Sequence, residues 1–147
     1  MQKNKTALMK ATELLARQEQ SSNRLRQKLL ARKYDAEEID AAITALTERN
    51  YLNDAESCRR QFEYLYAEEK LSVRQICSKL IQRGFDSAFV KSLIPADSDE
   101  HDLKAARRAF EKKFSDAKQK NKIYQYLAGK GFSSSVISTL FEEIDNL

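Results

Sequence analysis

Residues 73–90 read VRQICSKLIQRGFDSAFV. Ile76 and Leu80 stand one helical turn apart, and Arg83-Gly84-Phe85 places glycine where an ending helix turns left-handed. Asp86 or Ser87 then offers a cap for a second helix that buries Val90. The block reads helix, glycine stop, aromatic, helix, and it recurs. Leu25, Leu29, Tyr34, Asp35 and Ile39 lie 51 residues before Ile76, Leu80, Phe85, Asp86 and Val90, and Ile123, Leu127, Phe132, Ser133 and Ile137 lie 47 after them. Five columns of one residue class or polar role at constant internal spacing mark three copies of one supersecondary unit.

Working outward from these columns gives the whole chain. In the first copy the helix over 22–33 carries Leu25, Leu29 and Leu30, with Ser22 as the predicted N-cap and Lys33 at the glycine position. Asp35 with Glu38 three residues on is a capping-box variant, opening a helix whose predicted buried face is Ile39, Ile43 and Leu46. Ser133 or Ser134 does that job in the third copy, after Lys130-Gly131-Phe132. A further amphipathic helix precedes each pair: 7–19 with Ala7, Ala11, Leu14 and Leu15; 54–69 with Ala55, Cys58, Phe62 and Leu65; 99–113 with Leu103, Ala106 and Phe110, continued by Phe114. The expectation is nine helices in an all-α fold of three tandem three-helix repeats over 1–50, 51–97 and 98–147, with the boundaries at 50–53 and at 94–98 around Pro95. Units of this size sit at the lower edge of independent stability, so stacking of neighbours is expected to supply part of the core.

Composition agrees and narrows the function classes. Three glycines and one proline in 147 residues are too few for a turn-rich all-β fold. With 41% hydrophobic and 33% charged residues and a mean hydropathy of −0.66, the chain reads as soluble, and no apolar run approaches the roughly 20 residues of a membrane span. No secretory signal follows Met1, so a cytoplasmic location is expected. Cys58 and Cys77 with the single His101 are too few for a disulfide framework or a four-ligand zinc site; the cysteines read as core residues and His101, among Asp99, Glu100 and Asp102, as solvated. No glycine-rich phosphate loop, paired catalytic carboxylates or HExxH pattern occurs. A binding protein without metal, cofactor or catalytic activity is the expectation.

The charge pattern supplies the candidate site. The net charge is only +4, yet the three middle helices contain no Asp or Glu and hold 12 of the 26 basic residues, counting Lys118 with the third. Positions one before, three after and seven after the column residue share one flank of a helix. They are Arg24, Lys28 and Arg32; Gln75, Lys79 and Arg83; Lys122, Tyr126 and Lys130. Seven of these nine are basic, where 26 in 147 would give one or two. One reading is a repeated ridge facing a polyanion or an acidic protein groove. The other is a solvated surface copied by duplication, with cations near helix C-termini favoured by the macrodipole. The second accounts for Arg32, Arg83 and Lys130 but not for Arg24, Lys28, Lys79 and Lys122. Tyr124 and Tyr126 flank the third basic helix, suited either to stacking on bases or to packing at the core rim.

Asn50-Tyr51-Leu52-Asn53-Asp54, then Phe62, then ICSKLIQRGFD over 76–86 resemble the bacterial RecX family of regulators of the recombinase RecA. SNRLRQKLLARKYDAEEIDAAI over 22–43 and KIYQYLAGKGFSSSVI over 122–137 are similar to that family's flanking repeats. The resemblance spans about residues 7 to 144. It implies an elongated, curved array of three-helix repeats without enzymatic activity or cofactor; a monomer is the expectation. Such a protein lodges in the groove of the RecA filament on DNA, suppresses recombinase, ATPase and coprotease activities, and touches single- or double-stranded DNA through the basic ridge. The rival from another class is a helix-turn-helix protein acting directly on duplex DNA. Against it, the third helix of the first unit begins acidic, with Asp35, Glu37 and Glu38, and three unequal units give no two-fold half-site.

Overall fold

A computed structural model describes residues 5–146. Nine helices occur among them, with no strand: α1 (Ala7–Arg17), α2 (Ser22–Ala31), α3 (Ala36–Glu48), α4 (Asp54–Glu68), α5 (Val73–Gln82), α6 (Ser87–Ser92), α7 (Ser98–Lys113), α8 (Lys120–Gly129) and α9 (Ser134–Asp145). The substantial helix–helix packing lies inside three triplets, α1–α3, α4–α6 and α7–α9. Each triplet closes on its own core, and the column residues form its centre. Leu25, Leu29 and Ile39 are fully buried in the first, Ile76, Leu80 and Val90 in the second, Ile123, Leu127 and Ile137 in the third. Cys58 and Cys77 are buried in the second core, and burial raises both thiols above their ordinary pKa. The accessible surface is 9406 Å², against about 7,700 Å² for a compact monomer of this mass. The triplets are strung out in chain order.

The stops behave as their chemistry requires. Gly84 and Gly131 have φ of 99° and 90°, and Lys33, at the same place in the first triplet, is forced to 69°. Asp86 and Ser133 are the N-caps of α6 and α9. Five details depart from the sequence reading. Ser21, not Ser22, caps α2, accepting from the Arg24 N–H. The capping box of Asp35 and Glu38 is not made: Asp35 sits at the N-cap without a side-chain bond, and Glu38 reaches across to accept from the Ala7 N–H at 2.9 Å. Ala55 is exposed on α4, and Lys118 lies ahead of α8. His101 is not solvated but 5% exposed, stacked on Tyr66 at 3.9 Å, with Nδ1 2.9 Å from Asp102 Oδ1 and Nε2 2.9 Å from the Tyr66 carbonyl oxygen.

The joints between triplets repeat as faithfully as the cores. Ser21 Oγ donates to the Arg83 carbonyl at 2.7 Å, and 51 residues on Ser72 Oγ donates to the Lys130 carbonyl at 2.7 Å. The N-cap serine of one middle helix thus satisfies the C-cap carbonyl of the next, so α8, α5 and α2 run end to end. A carboxylate completes each joint: Asp54 accepts from the Ser22 N–H at 2.9 Å, and Asp102 from the Val73 N–H at 3.0 Å. Orphan N–H and C=O groups at helix ends are costly when buried, and here each end supplies what the other lacks.

Candidate functional site: a basic stripe along the middle helices

Because the middle helices meet end to end, flank positions that are separate in sequence come together at the first joint. Arg32, Arg83 and Lys130 are the C-cap residues of α2, α5 and α8, where the helix dipole favours a cation. Across the first joint Arg24 Nη2 donates to the Gln82 carbonyl at 2.8 Å, and within the second triplet Arg83 Nη1 donates to Gln61 Oε1 at 2.6 Å. Arg24, Lys28 and Arg83 line one cleft of about 410 Å³, walled also by Glu19, Gln20, Ser21, Gln61 and Phe85, with the Glu19 carboxylate paired to Arg60. Arg32 Nη1 donates to the Lys28 carbonyl one turn back. Lys79 and Lys122 are exposed farther along α5 and α8. The Lys130 ammonium sits 5.1 Å from the Tyr126 ring centre. The structure gathers three of the seven cations into one cleft and leaves the other four along the line of helices.

None of the seven forms an ion pair among the described residues. Cations on other faces do: Arg26 with Asp40, Arg60 with Glu19, Arg107 with Glu143, and Lys120 with Asp145 at 2.7 Å. A stripe with no acidic residue on its own helices therefore keeps its positive potential. Of the two tyrosines, Tyr126 packs edge-on to Phe114 with ring centres 5.7 Å apart, and Tyr124 is 40% exposed. No group of three or more His, Cys, Asp or Glu able to hold a metal ion occurs among the described residues, and no helix among them is long and apolar enough to cross a membrane.

Sequence reasoning missed the joints. Ser21 and Ser72 share the 51-residue displacement of the core columns and were detectable by it, but serine is common at helix starts and nothing local says that its hydroxyl faces another unit. Gln20 and Gln61 have no periodic signal at all.

The model of the first three-helix domain of RecX matches residues 7–46, and that of the third three-helix domain matches residues 99–141. The regulatory protein RecX of Chromobacterium violaceum is 31% identical over 137 residues, covering 90% of this chain and 87% of its own length. The chain belongs to the RecX family. RecX of Neisseria meningitidis is 28% identical over 142 residues, covering 95% of this chain and 91% of its own. The crystal structure of RecX from Lactobacillus salivarius, 22% identical, superposes with a TM-score of 0.80 over 96% of both chains, so the RecX fold extends over the three triplets.

Proposed function

We propose that this protein regulates the RecA recombinase, mainly as a negative modulator. It lies in the groove of the RecA–DNA filament and suppresses recombinase, ATPase and coprotease activities by binding, not by catalysis. That places it in the control of homologous recombination, DNA repair and the SOS response, acting as a cytoplasmic monomer. The observation that carries this reading, beside membership of a family of regulatory proteins, is the stripe of Arg24, Lys28, Arg32, Lys79, Arg83, Lys122 and Lys130, none of them ion-paired among the described residues and all on, or at the C-caps of, helices that run end to end. An extended positive line suits a helical groove walled by protein and nucleic acid, where phosphates and acidic side chains both face the occupant. A single pocket for a small ligand has no need of such length.

The test is direct. RecA assembled on single-stranded DNA with ATP is mixed with the protein, and ATP hydrolysis, strand exchange and co-sedimentation are measured. Both activities fall and the protein pellets with the filament if the reading is right. Unchanged hydrolysis with no co-sedimentation contradicts it, and selective retention of one duplex sequence at high salt would point instead to a helix-turn-helix reader.

A further inference from the structure

Gln20 stands in the wall of the cleft between the first two triplets and is 8% exposed. Its Nε2 donates to the carbonyls of Leu14 at 3.3 Å and Gln18 at 3.1 Å, which fixes the amide's orientation because only the nitrogen end can donate. Oε1 is left buried without a hydrogen-bond partner, and no other buried side-chain nitrogen or oxygen among the described residues is in that condition. Buried acceptors are almost always satisfied, so one left over in the wall of a cleft signals a donor brought from outside. Arg24, Lys28 and Arg83 line the same cleft, with no ion pair among the described residues, and the one carboxylate in its wall, Glu19, pairs with Arg60 and leaves these three cations unneutralised. The cleft makes two demands together: negative charge for the cations, and a hydrogen-bond donor beside it for Gln20.

The backbone of DNA meets only the first demand, since phosphodiester oxygens accept and deoxyribose within the chain carries no hydroxyl; the donors of DNA are on its base edges, separated from the phosphate by the sugar. A peptide meets both, because the carboxylate of an Asp or Glu lies close to main-chain N–H groups that donate. We propose that this cleft takes an acidic peptide segment, its carboxylate against Arg24, Lys28 and Arg83 and a main-chain N–H on Gln20 Oε1. The volume of about 410 Å³ has room for an acidic side chain and its flanking peptide units. Oε1 is covered by the surrounding chain, so the donor reaches it with a side-chain rearrangement of the kind common when interfaces form. The inference rests on the reading of the recombinase filament as partner and assigns this part of the stripe to the filament's protein, leaving DNA to the stripe beyond it.

Carbodiimide coupling separates the two surfaces, because it condenses an amine with a carboxylate, with loss of water, and gives no protein–protein link through a phosphate. In a mixture with RecA filaments on single-stranded DNA, peptide mass spectrometry is expected to find an amide between Lys28 Nζ and an Asp or Glu of the recombinase. Gln20→Glu sets a carboxylate against the segment and is expected to reduce that link about tenfold, while binding to recombinase-free single-stranded DNA changes less than about twofold. Gln20→Met, which removes the acceptor without adding charge, is expected to reduce it about fivefold and serves if the first variant melts early. Equal loss on free DNA and on the filament would make the cleft a phosphate site and overturn the proposal. So would coupling through other lysines only, or an undiminished Lys28 link in both Gln20 variants. Wild-type protein that co-sediments without a Lys28 link overturns this inference alone; wild-type protein that does not co-sediment overturns the proposed function with it.

Discussion

At Gly84 a Cβ would meet Ser21 Oγ at 2.4 Å and Asn23 Cβ at 3.2 Å, on a backbone held at φ +99°. Glycine is therefore needed twice there, once to leave the helix and once to let the preceding triplet's N-cap approach. Gly131 repeats the arrangement against Ser72 Oγ at 2.7 Å and Arg74 Cβ at 3.2 Å. Gly84→Val is expected to cost about 2 to 4 kcal/mol, from the left-handed backbone and the collision together. Lys33→Gly is expected to gain about 0.5 to 1 kcal/mol by relieving φ 69°. Urea denaturation reads both, and a Gly84→Val midpoint equal to wild type would contradict this account of the joint. The glycine stops were legible in the sequence because chirality limits which residues turn left-handed. The choice of Ser21 over Ser22 as cap was not, since the two are chemically identical and the Arg83 carbonyl, 62 residues away, decides between them.

Among the elements, α4 and α7 are tied by a cluster around His101, which the sequence reading placed in solvent. Tyr66 stacks on His101 and its hydroxyl donates to Asp97 Oδ1 at 2.7 Å. Burial first, and the bond to Asp97 second, push the Tyr66 hydroxyl well above the ordinary tyrosine pKa. A group whose pKa is raised on folding contributes stability in full below its unfolded value and loses it as pH climbs beyond that. Stability is thus expected to decline above about pH 10, the unfolded tyrosine value, and Tyr66→Phe is expected to flatten this alkaline limb. Chemical denaturation at a series of pH values measures it, and identical limbs would contradict the assignment. His101 was misread for a definite reason. An acidic first turn with Asp99, Glu100 and Asp102 suits a solvated helix start on its own, whereas Tyr66, 35 residues earlier, supplies the ring and the carbonyl that bury the imidazole. Helix existence and core columns follow local periodicity, while the bonds between units depend on partners that no local pattern names.

In the whole molecule, three small cores joined by serine and aspartate bridges make an extended object. X-ray scattering is expected to give a radius of gyration above the roughly 15 Å of a compact chain of this length. A value at that figure would contradict the end-to-end arrangement. The same arrangement sets the seven cations along one line of helices, and the proposed function has them bind the filament. The Arg24 side chain also holds the first joint and that of Arg83 ties α5 to Gln61 on α4, so the cleanest variant reverses Lys28, Lys79 and Lys122 to Glu, none of which makes a side-chain hydrogen bond or ion pair among the described residues. Charges of this kind contribute little to stability, so its melting is expected to stay close to wild type. The deciding measurement is inhibition of RecA ATP hydrolysis on single-stranded DNA by this variant, beside a control reversing the exposed Arg49, Lys91 and Lys112. The account predicts that the stripe variant loses inhibition by about tenfold or more while the control keeps it; full inhibition by a folded stripe variant would contradict the claim and return the stripe to a duplicated, solvated face.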